Sequence, residues 1–441
     1  MAERSINLLP AEWRKSRWRW LRRLAQRWIH EFREARDEIA LQMRRGFQTF
    51  GHWSHRWFGK VLIKNWQKGD VLGIEIDEDG VRVCHFRRRQ NSGEVVALYE
   101  ASFPVGAVIS GSDPLQKIVH PALLEARRHI TESGLKLADA KIVTGLGRSD
   151  LLTKRIMIPV MPDEELDRQI SFLAESHVPF DRHEIVVGWQ PAPESVDHRF
   201  PGSRSIFISA AKTASVRRVR ELFREAGFPL DAIEPYGLTL GRLLKAAGGG
   251  QPGSQAIFYG GARHSALAII GNGAVELFHG FVAGSYDFVD DLQRDCQISW
   301  EEARIRFFTH LASQDGQDLT GKADLEKAIK GTAWRMINEV NRFLDFYRKT
   351  HGREISRLAL AGQIADCREL LKFFETESRV GRVERLLLPP QLTEVPAGKT
   401  SRFALAIGLA MRADWQTAGW VSQASGHSSL TEEDPALSMV H

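Results

Sequence analysis

Val71-Leu72-Gly73-Ile74-Glu75-Ile76-Asp77-Glu78-Asp79-Gly80-Val81-Arg82-Val83-Cys84-His85-Phe86 reads as strand, tight turn, strand. The run before the turn is apolar or β-branched except at Glu75. Asp77-Glu78-Asp79-Gly80 supplies turn chemistry, and Val81, Val83 and His85 alternate with Arg82 and Cys84. A second copy of this plan runs from Ala256 to Ile270, with Gly260-Gly261 entering its turn. Taken singly, these are two surface hairpins. Taken with the helical segments between them, they predict a duplicated α/β fold around a central cleft.

Outside the hairpins, helices are expected over 114–134, from Pro162-Asp163 to before Val178, and over 215–226, 300–310, 327–349 and 402–413, with a further one from Tyr286. Strands are expected at 140–144, 184–190, 205–210, 275–278 and 358–363. Pro162 followed by Asp163-Glu164-Glu165 opens a helix with acids in its first turn, where the helix dipole favours them. Gly248–Gly253 is a glycine-rich connector.

Charge is unevenly spread. Residues 1–69 hold 16 Lys and Arg against 6 Asp and Glu, a balance of +10, which leaves −5 on the remaining chain to reach the overall +5. The body is therefore mildly acidic, which argues against a nucleic-acid groove across it. In the basic arm Leu21, Leu24, Trp28 and Phe32 recur at helical spacing, and Trp13, Trp18 and Trp20 precede them. An arginine-rich helix with an aromatic stripe suits the headgroup layer of an anionic membrane. The same pattern serves a helix that packs on the body or pairs as a short coiled coil. No apolar run approaches the roughly 20 residues that cross a bilayer, and no signal peptide is expected. Cys84, Cys296 and Cys367 lie too far apart in sequence for a redox or ligand motif, and the histidines show no metal-ligand spacing. Metal is expected to be absent and a reducing cytoplasm is the expected compartment.

The order of several short motifs carries a family resemblance. Arg155…Pro159, Glu164-Glu165-Leu166, Ile170, Ala174-Glu175 and Val178-Pro179-Phe180 come first. Ala226-Gly227-Phe228, Ile233-Glu234, the second hairpin, Glu301-Glu302-Ala303, Asn338-Glu339-Val340, Leu360-Ala361-Gly362 and Ala406-Ile407-Gly408-Leu409-Ala410 follow. Over residues 70–414 the chain resembles the type IV pilus assembly protein PilM family, which has the actin-like (ASKHA) fold shared with FtsA. Composition and periodicity set off a basic helical arm over 1–69 and a disordered tail over 415–441. Between them the resemblance implies a first lobe over 70–154, an inserted subdomain over 155–226 and a second lobe with a closing helix over 227–414. It also implies a cytoplasmic, membrane-peripheral adaptor that binds the short tail of a bitopic inner-membrane protein of PilN or GspL type in a pilus or type II secretion-like complex. A homo-oligomer is a further implied partner state. The alternative is an ATP-hydrolysing actin-like enzyme or a sugar-kinase-type phosphotransferase.

The resemblance also places a degenerate nucleotide site. Gly73, Gly260, Gly261 and Gly362 are kept, while Asp77 replaces the first turn's glycine and Glu75 the metal-side aspartate. Glu78 and Asp79 replace serines, Gln363 replaces the second adenosine-turn glycine, and Phe258 stands for the second aspartate. Carboxylates facing a triphosphate repel it, although a magnesium ion could bridge them to phosphate. No nucleotide cofactor and no catalytic residue are expected. Finally, Ile6-Asn7-Leu8-Leu9-Pro10 is similar to the start of the PilN tail. The expectation is a built-in copy of the docking peptide, held in cis or by a neighbouring copy.

Overall fold

The computed structural model describes residues 69–89, 92–104, 115–147, 151–178, 180–191, 202–248, 253–271, 274–312, 322–389, 392 and 397–412. All of them belong to one compact unit, residues 65–441. The arm with Trp13, Trp18, Trp20, Leu21, Leu24, Trp28 and Phe32, the Ile6–Pro10 peptide, Pro179 and the tail expected from 415 lie outside the described residues.

The chain begins with the meander β1 (Gly69–Ile76), β2 (Gly80–Arg89) and β3 (Ser92–Ser102). Helix α1 (His120–Glu132) and β4 (Ala140–Leu146) follow. Next come β5 (Leu151–Pro159), α2 (Asp163–Glu175), β6 (Ile185–Pro191), β7 (Ser203–Lys212) and α3 (Thr213–Glu225). Strand β8 (Ala232–Pro235) and α4 (Tyr236–Ala246) lead to the second meander, β9 (Ser254–Gly260), β10 (Ser265–Gly271) and β11 (Ala274–Phe281). Helices α5 (Ser285–Cys296), α6 (Trp300–Ala312) and α7 (Lys322–His351) precede β12 (Ile355–Gly362), α8 (Arg368–Glu377) and β13 (Val383–Arg385). Helices α9 (Ala397–Arg402) and α10 (Ala404–Ala410) close the described chain.

Two five-stranded sheets have the same order, β3-β2-β1-β4-β8 and β11-β10-β9-β12-β13. In both, the meander is antiparallel and the last two strands join parallel. This repetition is the duplicated α/β plan that the paired hairpins predicted, and it fits the actin-like fold that the resemblance implies. A three-stranded sheet, β5-β7-β6, is inserted in the first half and carries its own core of Ile156, Ile158, Leu166, Ile170 and Ile208.

The cores explain where the expected boundaries move. β5 starts at Leu151, so the inserted sheet begins before residue 155. Leu222 and Phe223 of α3 pack with Leu72, Val83 and Leu123 of the first half, so this helix returns to the first lobe. β8 pairs with β4 and completes the first sheet, which therefore extends past residue 227. Helices α4 and α10 lie in a shared core that joins Cys84 and Phe86 to Ile257 and Ala268. The closing helix expected over 402–413 is interrupted at Phe403, giving α9 and α10.

The hairpin alternation of buried and open faces is also corrected. From Gly80 to Phe86 every residue of β2 is buried. Val81 and Val83 meet the α1 side, while Cys84 and Phe86 face the shared core. A sheet covered on both faces has no solvent side to reveal by period.

Candidate functional site

The two hairpins turn in matching register. Asp77 N–H donates to the Gly80 carbonyl at 3.0 Å, and Gly261 N–H donates to the His264 carbonyl at 2.9 Å. Ile76 pairs with Val81, and Gly260 with Ser265. Asp77 thus corresponds to Gly261, and Glu75 to Tyr259. The expected equivalence of Phe258 with an aspartate is one residue off. Phe258 is fully buried on the opposite face, against Phe281 and Phe374. A one-residue slip changes the face of every strand residue, and only the ladder fixes it.

The two turns face and touch each other. Asp77 Oδ2 accepts the Ala262 N–H at 3.1 Å, and Glu78 Oε2 accepts the Arg263 N–H at 3.4 Å. Glu78 Oε1 meets His264 Nδ1, and the Tyr259 hydroxyl donates to Glu75 Oε1. Asp77 Oδ1 caps its own turn by accepting the Glu78 N–H at 2.9 Å. Each acid of the first turn therefore has a donor in the second, or a cation behind it.

That cation is Arg82, whose side chain is 0% exposed. It contacts Asp79 at 2.5 Å, Glu100 at 3.2 Å, Asp77 at 3.4 Å and Glu75 at 3.6 Å. Arg402 of α9 reaches Glu100 at 2.6 Å and Asp79 at 3.3 Å, and Gln363 Nε2 donates to Asp79 at 2.6 Å. Gln363, expected only as a lost glycine, is the third arm of the network. It also accepts a hydrogen bond from Ser285 Oγ at 2.7 Å.

Five carboxyls thus surround Arg82, Arg402 and His264, and the excess acid is relieved by protons. Burial pushes Glu75 up to about 7, against the pull of Arg82 and the Tyr259 hydroxyl. Its Oε2 has no hydrogen-bond partner, which adds to the cost of ionising it. Burial, and then the Glu78 carboxylate, holds Asp77 well above the usual range. Burial also opposes ionisation of Glu78. It is outweighed by hydrogen bonds from Asp77 and His264 and by the imidazole charge, which bring Glu78 down to about 2.

The expected site glycines separate into two roles. A Cβ on Gly261 would lie 2.7 Å from the His264 carbonyl and 3.1 Å from Asp77 Oδ2, so the approach of the two turns requires glycine there. Gly362 has φ +86°, and its Cβ would meet the Gly260 carbonyl at 2.3 Å. Gly260, Gly261, Gly362 and Asp77 are therefore brought together. Gly73 is not with them. It lies mid-strand in β1, where a Cβ would be 2.0 Å from the Ala406 carbonyl of α10, and it serves the crossing of helix over sheet.

The network opens onto a cavity of about 210 Å³. Glu75–Glu78, Thr144–Gly147 and α3 line one side and Tyr259, His264–Ala266 and Gly280 the other, with Phe278 and Leu405 completing the apolar wall. Arg155, the first residue of the family motifs, is elsewhere. Its Nε donates to Ser205 Oγ at 2.6 Å, and its Nη1 approaches His351 Nε2 at the end of α7 at 3.5 Å.

These residues do not fit the magnesium nucleotide that the fold implies. The second turn's amides at Ala262 and Arg263 are taken by carboxylates, and Gln363 is committed to Asp79 and Ser285.

Comparison with known proteins bears on the fold and the family. The structure described as the PilM-PilN type IV pilus biogenesis complex is similar, with a TM-score of 0.64 and 20% identity, covering 78% of this chain and 98% of that one. MreB5 of Spiroplasma citri bound to AMPPNP is a more distant likeness (TM-score 0.43, 11% identity, 77% of this chain and 94% of that one). So is the cytoplasmic domain of EpsL, an inner membrane component of the type II secretion system of Vibrio cholerae (TM-score 0.33, 12% identity, 52% and 77%). No functionally curated protein matches the chain. The sequence pattern of the family described as type IV pilus assembly protein PilM matches residues 73–414, and the chain belongs to that family.

Proposed function

We propose that this chain is a cytoplasmic adaptor at the inner-membrane base of a type IV pilus or related secretion complex, where it holds the short tail of a bitopic PilN-type partner. The observation that carries this reading is the cavity that the first turn, the end of β4 and α3 form with Tyr259, His264–Ala266 and Phe278 of the second hairpin and its neighbouring strand. Its walls include Leu146, Val219, Leu222 and Phe278, a surface suited to leucine side chains of an extended peptide. Family membership and the similarity to a PilM-PilN complex support the partner class. The carboxylate network supports a binding platform over a phosphotransferase, because the second turn's donors at Ala262 and Arg263 are already engaged.

The Ile6–Pro10 segment is proposed as an internal copy of the docking peptide, and the basic arm as a contact to an anionic membrane surface or a protein partner. Among the described residues no helix is long and apolar enough to cross a membrane, which leaves attachment to the arm or the partner. The test is titration of a synthetic PilN-type tail peptide into the full chain and into Leu8→Ala/Leu9→Ala. The full chain should bind with the same affinity with and without Mg-ATP, and the double variant should bind more tightly because its own copy no longer competes. No binding at millimolar peptide would refute the adaptor reading. Equal binding by both proteins would refute the internal copy alone.

A further inference from the structure

The second turn presents successive backbone N–H groups, at Ala262 and Arg263, toward the cleft. Amides converging in this way form a concave anion-binding surface, and a free one in a cleft binds phosphate or carboxylate. Here the carboxyl groups come from the opposite lobe of the same chain, Glu78 ionised and Asp77 held toward its protonated form. We propose that Asp77 and Glu78 are a built-in ligand: they occupy the second turn's anion site and join the two lobes as a bound polyphosphate would, so that the cleft is closed without any nucleotide.

Three observations carry this independently of the adaptor reading. The contacts run in register across the two hairpins, Asp77 to Ala262, Glu78 to both Arg263 and His264, and Glu75 to Tyr259. Gly261 leaves just the room that Asp77 fills, since a Cβ there would stand 3.1 Å from Asp77 Oδ2. Arg82 backs Asp77 at 3.4 Å from behind, while Arg402 and Gln363 hold the neighbouring Asp79 in place. A carboxylate that was only an eroded phosphate-turn residue would need no such partners. Tethering makes the occupancy permanent, because the anion is always present at high effective concentration.

The ligand class that these amides would accept, once vacated, is inorganic phosphate or a diphosphate. The experiment uses the full chain and magnesium pyrophosphate as probe, with Asp77→Gly/Glu78→Ser and, as a conservative pair, Asp77→Asn/Glu78→Gln. Hydrogen exchange across residues 258–266 reports on the second turn, and thermal shift reports on binding. In the parent protein the turn should be protected without ligand, and pyrophosphate should leave Tm unchanged. In the Gly/Ser variant the turn should exchange at least tenfold faster, and millimolar pyrophosphate should restore protection and raise Tm. The Asn/Gln pair, which keeps shape and loses charge, should show an intermediate loss of protection and settles the question if the Gly/Ser protein does not fold. The proposal is overturned if the parent protein binds pyrophosphate as readily as the variant. It is equally overturned if the turn's exchange is unchanged in the Asn/Gln pair.

Discussion

The two hairpin turns share a register and differ in everything else. Asp77-Glu78-Asp79-Gly80 offers side-chain carboxyls, and Gly261-Ala262-Arg263-His264 offers backbone amides and an imidazole. They share one geometry, and their chemistry is complementary, with carboxyls on one turn meeting N–H groups on the other.

The comparison breaks most severely at Arg82. This buried guanidinium stands between Glu75, Asp77, Asp79 and Glu100, and Arg82→Ala would leave them uncompensated. A loss of about 3–5 kcal/mol is expected from removing one partner of a buried charge cluster. Denaturant unfolding would measure it, and a loss under about 1 kcal/mol would mean that the first turn does not depend on its cation.

The next effect is on pH dependence, and it separates two acids of the same turn region. Glu75, raised to about 7, binds a proton more tightly folded than unfolded. Stability therefore falls as pH rises from the unfolded value near 4.5 through about 7, by up to about 3 kcal/mol at 1.4 kcal/mol per unit. Glu75→Gln should flatten that decline. Glu78, lowered to about 2, acts with the opposite sign. Its contribution is complete above about 4.5 and disappears as pH falls toward 2. Glu78→Gln should lose stability at neutral pH and converge with the parent in acid. A parent stability that rises steadily between pH 5 and 7.5 would contradict the Glu75 assignment.

Glycine substitutions sharpen the division between joint and scaffold. Gly261→Ala must push Asp77 and the His264 carbonyl apart, while Gly73→Ala must push α10 off β1. Each should cost about 1–3 kcal/mol as overpacking. Only the Gly261 variant should speed exchange at residues 262–264. If Gly73→Ala does so equally, the two sites are not separate.

The smallest effect is expected at Arg155, outside the turns. Its bridge from Ser205 toward His351 is half-buried, and Arg155→Ala should cost about 1 kcal/mol while leaving the turns' exchange unchanged.

Much of this architecture was written locally in the chain. The run Val71–Phe86 and its second copy at Ala256–Ile270 announced both meanders, because strand period and turn residues are short-range signals. The Pro162-Asp163-Glu164-Glu165 start placed α2 where it stands, through helix-terminus chemistry. The family resemblance also marked changed residues at Asp77 and Glu78 in the phosphate turn and at Gln363 in the adenosine turn.

What those changes are for was decided by tertiary structure alone. The partners of Asp77 and Glu78 lie 185 and 186 residues away, and no local pattern specifies which amide a carboxylate will meet. The alternation around Arg82 gave no hint that it is buried, because both faces of β2 are covered by elements distant in sequence. The exchange of Phe258 for Tyr259 at the cleft was hidden for a related reason. Two neighbouring aromatics satisfy the same strand signal, and only the hydrogen-bonded ladder determines which faces the core and which faces Glu75.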